Sequence, residues 1–247
     1  MKLISKNKYL ATLGLFIAMV YFTSYVTRLN FNAAMAAILE EGTLTKTQAG
    51  GIGSALFFTY GFGQLISGVL GDRFRPNHIM AAGLGLTAVC NVLMPLSSAS
   101  PLLMTVIWGL NGFAQALMWP PIVKLMASYM NESEYASCNW LVSIAAHSAT
   151  ILIYIAVPAC VAWMNWRAAF YLSAALALCT MIGWMMGFRA ISGKLVTNDE
   201  MLRKKSAEKG EAVKRMSLGH AFVISGSLAK ASIRRFSAEF PFMRYAA

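Results

Sequence analysis

Apolar residues along this chain run in long stretches. They do not alternate or recur with the three-to-four spacing of an amphipathic helix. Six such stretches stand out, Leu10–Ile38, Gly50–Gly71, Ile79–Leu96, Leu102–Tyr129, Ala136–Trp163 and Ala168–Phe188. Each approaches or exceeds the ~20 residues that cross a ~30 Å hydrocarbon core at ~1.5 Å per residue. The pattern therefore predicts an all-α membrane protein with six transmembrane helices. Short polar connections separate them: Glu40, Glu41 and Lys46, then Asp72, Arg73 and Arg75, then the uncharged Ser97 to Pro101, then Glu132 and Glu134, then Trp166 and Arg167. The first stretch follows Lys2, Lys6 and Lys8 as a signal peptide would, but it passes 20 residues without a small-residue cleavage site, so it is expected to stay as a helix.

Composition sharpens this reading. Of 247 residues 57% are hydrophobic and 13% charged, whereas a soluble domain spends about a quarter of its residues on charge. The net charge of +11 is mostly a property of the carboxyl-terminal part, where residues 189–247 hold 12 Lys and Arg against 5 Asp and Glu. These basic residues form no aromatic-interleaved patch, so nucleic acid is not an expected partner; the lipid bilayer is. Lys and Arg gather before the first span, after the second and after the sixth, which places both termini in the cytoplasm; a bacterial inner membrane is the expected location. The four cysteines lie inside apolar stretches without ligand spacing, and His78, His147 and His220 make no metal pattern. No phosphate-binding glycine loop or serine-hydrolase motif is present. The chain is read as no enzyme, with no cofactor and no metal.

The most specific run follows the second span, Gly68-Val69-Leu70-Gly71-Asp72-Arg73-Phe74-Arg75-Pro76. It resembles the glycine-rich Asp-Arg loop of the major facilitator superfamily, as Asn165-Trp166-Arg167 resembles the same family's fifth connection. Small residues allow close helix approach, and an Asp beside a neighbouring helix end can gate by making and breaking a charge pair. Gly68, Gly71, Asp72 and Arg73 are assigned to this gating loop, against the simpler reading of a turn with orienting positive charge. The first-span run Tyr25-Val26-Thr27-Arg28-Leu29-Asn30-Phe31 and the fourth-span run Gln115-Ala116-Leu117-Met118-Trp119-Pro120-Pro121 are similar to the organophosphate:phosphate antiporter branch. The resemblance covers roughly residues 9–218. It implies one half of a twelve-helix major facilitator fold, built as two inverted three-helix repeats.

Arg28 stands deep in a span, where a guanidinium costs several kcal/mol unless it faces a cavity or a partner. Its planar fork suits bidentate binding of phosphate or carboxylate. Tyr60 and Gln64 share a face of the second span at i, i+4; Asn111, Gln115 and Trp119 share one of the fourth; His147 lies near Trp140 and Ser143 on the fifth. Arg28, Tyr60, Gln64, Gln115, Trp119 and His147 form the candidate substrate path, each weighed against ordinary helix packing or, for Trp119, an interfacial position. Glycerol-3-phosphate-type relatives carry Lys where Leu29 and Gln64 stand here, which makes a singly charged anion such as a sugar acid as plausible as an organophosphate.

The expected organisation is a six-helix bundle over 1–190, a charged cytoplasmic linker over 191–218 and a basic tail over 219–247. Charges at Lys230, Arg234, Arg235 and Glu239 fall where the family places a seventh apolar span, so the tail is read as frameshifted, against a natural basic tail. The expected function is secondary transport of a small organic anion by alternating access, the chain being an amino-terminal half. Its partner is then a missing carboxyl-terminal half or a second copy. An inactive fragment, a dimerising half-transporter and a membrane sensor of an organic anion are the alternatives.

Overall fold

The computed structural model describes residues 8–197 and Glu200; the residues assigned to the linker beyond these, and the tail at 219–247, lie outside the described part. Among the described residues seven helices follow one another: α1 Lys8–Glu40, α2 Lys46–Arg73, α3 Pro76–Leu96, α4 Pro101–Ala116, α5 Trp119–Tyr129, α6 Glu132–Trp163 and α7 Trp166–Ser192. Six segments are long and apolar enough to cross a membrane, with α4 and α5 together forming the fourth. The first is 33 residues, about 50 Å at 1.5 Å per residue, so α1 extends beyond the hydrocarbon.

Local chemistry explains the boundaries. After α1 the chain turns at Gly42, whose φ of 77° is a left-handed conformation open to glycine, and Thr43 N–H reaches back to Ile38 O at 3.2 Å. Thr45 and Gln48 then close a capping box on α2, with bonds of 3.3 and 2.8 Å. Asn131 and Glu134 do the same for α6. Pro76 and Pro101 occupy first turns, where a missing N–H costs nothing. The fourth span breaks because Pro120 and Pro121 cannot bond to the carbonyls four residues earlier, at Ala116 and Leu117. Leu117 and Met118 N–H turn instead to Ala114 and Gln115 carbonyls at 3.2 Å each, and α5 restarts with its prolines in the first turn. The interruption thus falls ahead of Trp119, which begins a new helix instead of continuing the face of Asn111 and Gln115.

Packing is pairwise and symmetric. The principal pairs are α2 on α4, α1 on α6, α3 on α7, α1 on α7 and α3 on α4. Exchanging spans one and four, two and five, three and six maps this set onto itself, as two inverted three-helix repeats require. The α2–α4 contact brings backbones close together. A Cβ at Gly112 would lie 2.2 Å from Leu56 O, one at Gly63 2.7 Å from Ala116 Cβ, and Thr59 Oγ1 donates to Gly109 O at 2.6 Å. Small residues let the backbones meet, which is how helices associate where lipid removes the hydrophobic drive.

Two apolar clusters fill the bundle. One, around Phe31, Trp108, Trp166 and Phe170, lies toward the α1 carboxyl end. The other, around Leu13, Ile17, Met80, Ile122 and Trp184, lies toward its amino end. Buried polar residues of α1, α3 and α4 separate them. At the first end Glu41 joins α1 to α7: Arg167 Nη2 and Nη1 donate to its two oxygens at 2.8 and 3.1 Å, and Trp166 Nε1 donates as well. The Arg167 hydrogen bonds hold the Glu41 carboxyl below the usual range against the opposing effect of burial, with the Trp166 hydrogen bond and the Arg167 charge adding to them.

Two outcomes follow from this packing. Gly112→Ala should destabilise the purified chain by ~1–3 kcal/mol in detergent unfolding, whereas Gly61→Ala, with open space at its Cβ, should be neutral or mildly stabilising. The Glu41 clasp is half exposed, so its contribution is at most ~1 kcal/mol. Because folding lowers this pKa, the contribution is full above the unfolded carboxylate range and disappears as pH falls through the folded value. Glu41→Gln should flatten the acid limb of a stability-versus-pH curve; an unchanged limb would rule the clasp out as a pH-dependent element.

Candidate anion-binding site

Arg28 lies on the inward side of α1, 9% exposed. Its guanidinium carbon sits 4.3 Å from the Tyr25 ring centroid and 5.2 Å from that of Tyr60 on α2. Both distances are within cation–π range. Tyr21 meets Tyr25 edge-on at 5.1 Å and tilts against Trp119 of α5 at 4.9 Å. Tyr21, Tyr25 and Arg28 follow i, i+4, i+7, one face of α1. A continuous run Trp119–Tyr21–Tyr25–Arg28–Tyr60 therefore crosses three helices. Among the described residues, no carboxylate lies within ion-pair distance of Arg28 and no acceptor takes a hydrogen bond from its guanidinium. Ring faces soften its charge without cancelling it, and its planar set of donors is suited to a ligand with paired oxygens.

The other flank of α1 is pinned by a neutral hydrogen-bond layer. Ser24 Oγ donates to Gln115 Oε1, and Gln115 Nε2 donates to Thr27 Oγ1 at 3.0 Å and to Thr87 Oγ1 at 3.4 Å. Asn91 Nδ2 donates to the Thr87 carbonyl at 2.9 Å and, like Asn111 Nδ2, to the Thr27 carbonyl, at 3.3 and 3.2 Å. Asn30 Nδ2 donates to Asn91 Oδ1 at 2.6 Å, and Thr23 shares a 2.8 Å bond with Thr180 of α7. Among the described residues Asn111 Oδ1 has no hydrogen-bond partner. These bonds fix the rotation of α1, and with it the direction in which Arg28 points.

The structure brings some candidates together and separates others. Arg28 and Tyr60 touch, and Trp119 joins them through Tyr21 and Tyr25. Gln64 lies one turn beyond Tyr60 and is half-buried. Gln115 is 1% exposed and used up by the layer, so in this conformation it faces α1 and not open space. His147 is exposed on α6, where its Nδ1–H donates to the Ser143 carbonyl at 2.6 Å, leaving Nε2 as the free nitrogen. The run expected as a loop is helical, since Gly68, Gly71, Asp72 and Arg73 all belong to the last turns of α2, and Gly71 O accepts from Lys124 Nζ of α5 at 2.6 Å, a cation placed on the carboxyl end of that helix. Arg73 is exposed in the last turn of α2, and Gly68 has open space at its Cβ. The side chain of Asp72 lies outside the described part.

Sequence reading missed Tyr21, Tyr25 and Lys124 as working residues. The first two were visible as aromatic steps one and two turns before Arg28. Lys124 was visible as a second cation inside the fourth apolar stretch, so Arg28 is not alone in that respect.

Comparison with known proteins identifies the family. A model of the Major Facilitator Superfamily matches residues 17–242. The "Probable hexose phosphate transport protein" of Chlamydia trachomatis serovar D is 32% identical over 174 residues, 70% of this chain and 37% of that protein. The glycerol-3-phosphate transporter of Bacillus subtilis strain 168 is 30% identical over 67% of this chain and 38% of its own length. The membrane sensor protein UhpC of Escherichia coli K12 is 30% identical over 64% of this chain and 36% of itself. The match thus covers little more than a third of each relative. Among solved structures, a peptide transporter POT (E310Q mutant) in complex with sulfate superposes with a TM-score of 0.57 at 17% identity, over 89% of this chain and 45% of that one. That likeness concerns the fold alone. With six spans arranged as two inverted triplets and a family match from residue 17 within α1 to residue 242, the chain belongs to the Major Facilitator Superfamily, on the side of its sugar-phosphate and glycerol-phosphate transporters.

Proposed function

We propose that these helices form the amino-terminal, anion-binding half of a secondary transporter for a small organic anion, an organophosphate or a sugar acid, working by alternating access. The observation that carries this reading is Arg28, a guanidinium in the middle of a span, held by two tyrosine faces and balanced by no carboxylate among the described residues. The names of the relatives, hexose phosphate and glycerol-3-phosphate transport proteins, support the substrate class. In this proposal Arg28 anchors the anion and Tyr60, Gln64 and Trp119 line its path. His147 offers Nε2 from α6, and Gln115 serves by holding α1 in register. Gly68, Gly71, Asp72 and Arg73 gate at the end of α2, where Lys124 is already docked. The partner is a second six-helix unit, a carboxyl-terminal half or another copy, packed on α2 and α6. Those two helices are the least buried within the bundle and expose Phe57, Phe62, Ile151 and Ile155.

A sensor is the second reading, favoured by the match to UhpC. It differs in outcome: a sensor binds the anion and changes its affinity for a signalling protein without uptake, whereas a transporter moves the anion into vesicles.

Arg28→Lys keeps the charge but loses the fork, and should weaken binding of glycerol-3-phosphate, glucose-6-phosphate or glucuronate at least about tenfold, ~1.4 kcal/mol. Arg28→Ala should abolish it. Unchanged affinity in both, measured by equilibrium binding to the complete transporter, overturns the anchor role.

Orientation supplies a separate test. Cysteines introduced at Thr43 and at Asn77, on a cysteine-free background, should react from opposite sides of the membrane, with Asn77 and a cysteine at Lys204 on the cytoplasmic side. Labelling of Thr43 and Lys204 from the same side would refute six spans with both termini inside.

A further inference from the structure

A cavity of ≈ 600 Å³ opens where α3 begins and where α5 and α7 end. Its polar wall carries Arg75, His78 and Arg189, with Tyr129 and Ser192 beside them. Arg75 comes from the α2–α3 turn and Arg189 from the last turn of α7, so cations from two separate elements converge on one space. Among the described residues no acidic side chain lines it. Among the described residues neither guanidinium makes an ion pair or a hydrogen bond. Such groups are normally scattered or paired on a surface, and their convergence around a cavity selects for an anion.

The rest of the wall identifies what kind of anion. Leu125, Met185 and Phe188 supply an apolar side, and Met185 and Met186 on α7 are exposed, which continues that side onto the surface that faces acyl chains. The floor is held in place: Trp184 Nε1 donates to the Asn77 carbonyl at 3.1 Å, tying α7 to the first turn of α3. Arg75 caps α3 without a side-chain hydrogen bond, and Pro76 follows at the first helical position. The positive end of this 21-residue helix therefore adds to the two arginines. A ligand that fits has a phosphate for the basic wall and hydrocarbon for the apolar one.

We propose that this cavity binds a phosphate group, that of an anionic phospholipid lying against the end of the bundle. The site is separate from Arg28 and does not depend on what the transporter carries. Basic pockets between spanning helices at the membrane surface gain about 1 kcal/mol per cation toward anionic lipid. Two arginines thus imply a preference of roughly tenfold or more for phosphatidylglycerol over phosphatidylcholine.

The test uses the full chain purified in detergent and presented with each lipid, with retained lipid counted by native mass spectrometry. The expected result is selective retention of phosphatidylglycerol, lost in the double variant Arg75→Gln/Arg189→Gln and kept in Lys46→Gln at the opposite end. Equal retention of both lipids overturns the assignment to an anionic phospholipid, and retention that survives the double variant overturns the site. Should the double variant lose its helical circular dichroism, the unmodified chain decides: phosphatidylglycerol nanodiscs should protect Arg189 from an arginine-specific dicarbonyl reagent where phosphatidylcholine nanodiscs do not. Protection by millimolar inorganic phosphate, with no preference between the lipids, would support the phosphate site and assign its ligand to solution. Protection by neither refutes it.

Discussion

Amide and hydroxyl groups buried halfway across a membrane must find partners inside the protein, because no water is at hand and an orphaned group costs ~1–3 kcal/mol. Ser24, Thr27 and Asn30 on α1 meet this requirement by reaching Thr87 and Asn91 on α3 and Asn111 and Gln115 on α4. Apolar packing alone would let α1 rotate or slide by a residue at small cost, since lipid tails replace one hydrocarbon contact with another. The polar layer forbids this, since a rotation of one residue would break several of its bonds together. The orientation of Arg28 and of its tyrosines is a consequence of that constraint.

The symmetry of the bundle works in the same direction. The α2–α4 contact, made intimate by Gly63, Gly109 and Gly112, is the counterpart of the α1–α6 contact under the exchange of the two triplets. One is a backbone-to-backbone crossing, while α1 on α6 has Gly14 against Cys138 with ordinary clearance, 3.5 Å from a Cβ. The two repeats share a plan but differ in tightness.

Much of this was legible in the chain. The spans were, because membrane thickness translates directly into a run length and the connections carry charge. The glycine-rich run stood out as a motif but was read as a loop, whereas α2 continues helically through it to Arg73 and only Phe74 and Arg75 make the turn. Arg28 stood out through the cost of its burial. What remained hidden depends on how helices rotate against each other. Gln115 and Trp119 share a face only if the helix between them is continuous, and the prolines at 120 and 121 break it a turn upstream of themselves. Tyr25 and Tyr21 gain their role from facing Arg28 and Trp119 across helix boundaries. Lys124 gains its role from meeting the end of α2. None of these relations is local in sequence.

The way Arg28 is held also has an electrical meaning. Tyrosine faces stabilise a guanidinium without neutralising it, so the unloaded site carries a full positive charge inside the low-dielectric layer. On the proposed reading a bound monoanion brings the site to zero and a dianion to minus one. Moving one charge through the membrane field is worth ~2.3 kcal/mol per 100 mV, so a membrane voltage does no work on the reorientation of a site loaded with a monoanion. It does work on the empty site and on one loaded with a dianion, with opposite sign. The charge state of the cargo would then decide which half of the transport cycle the cell's membrane potential drives.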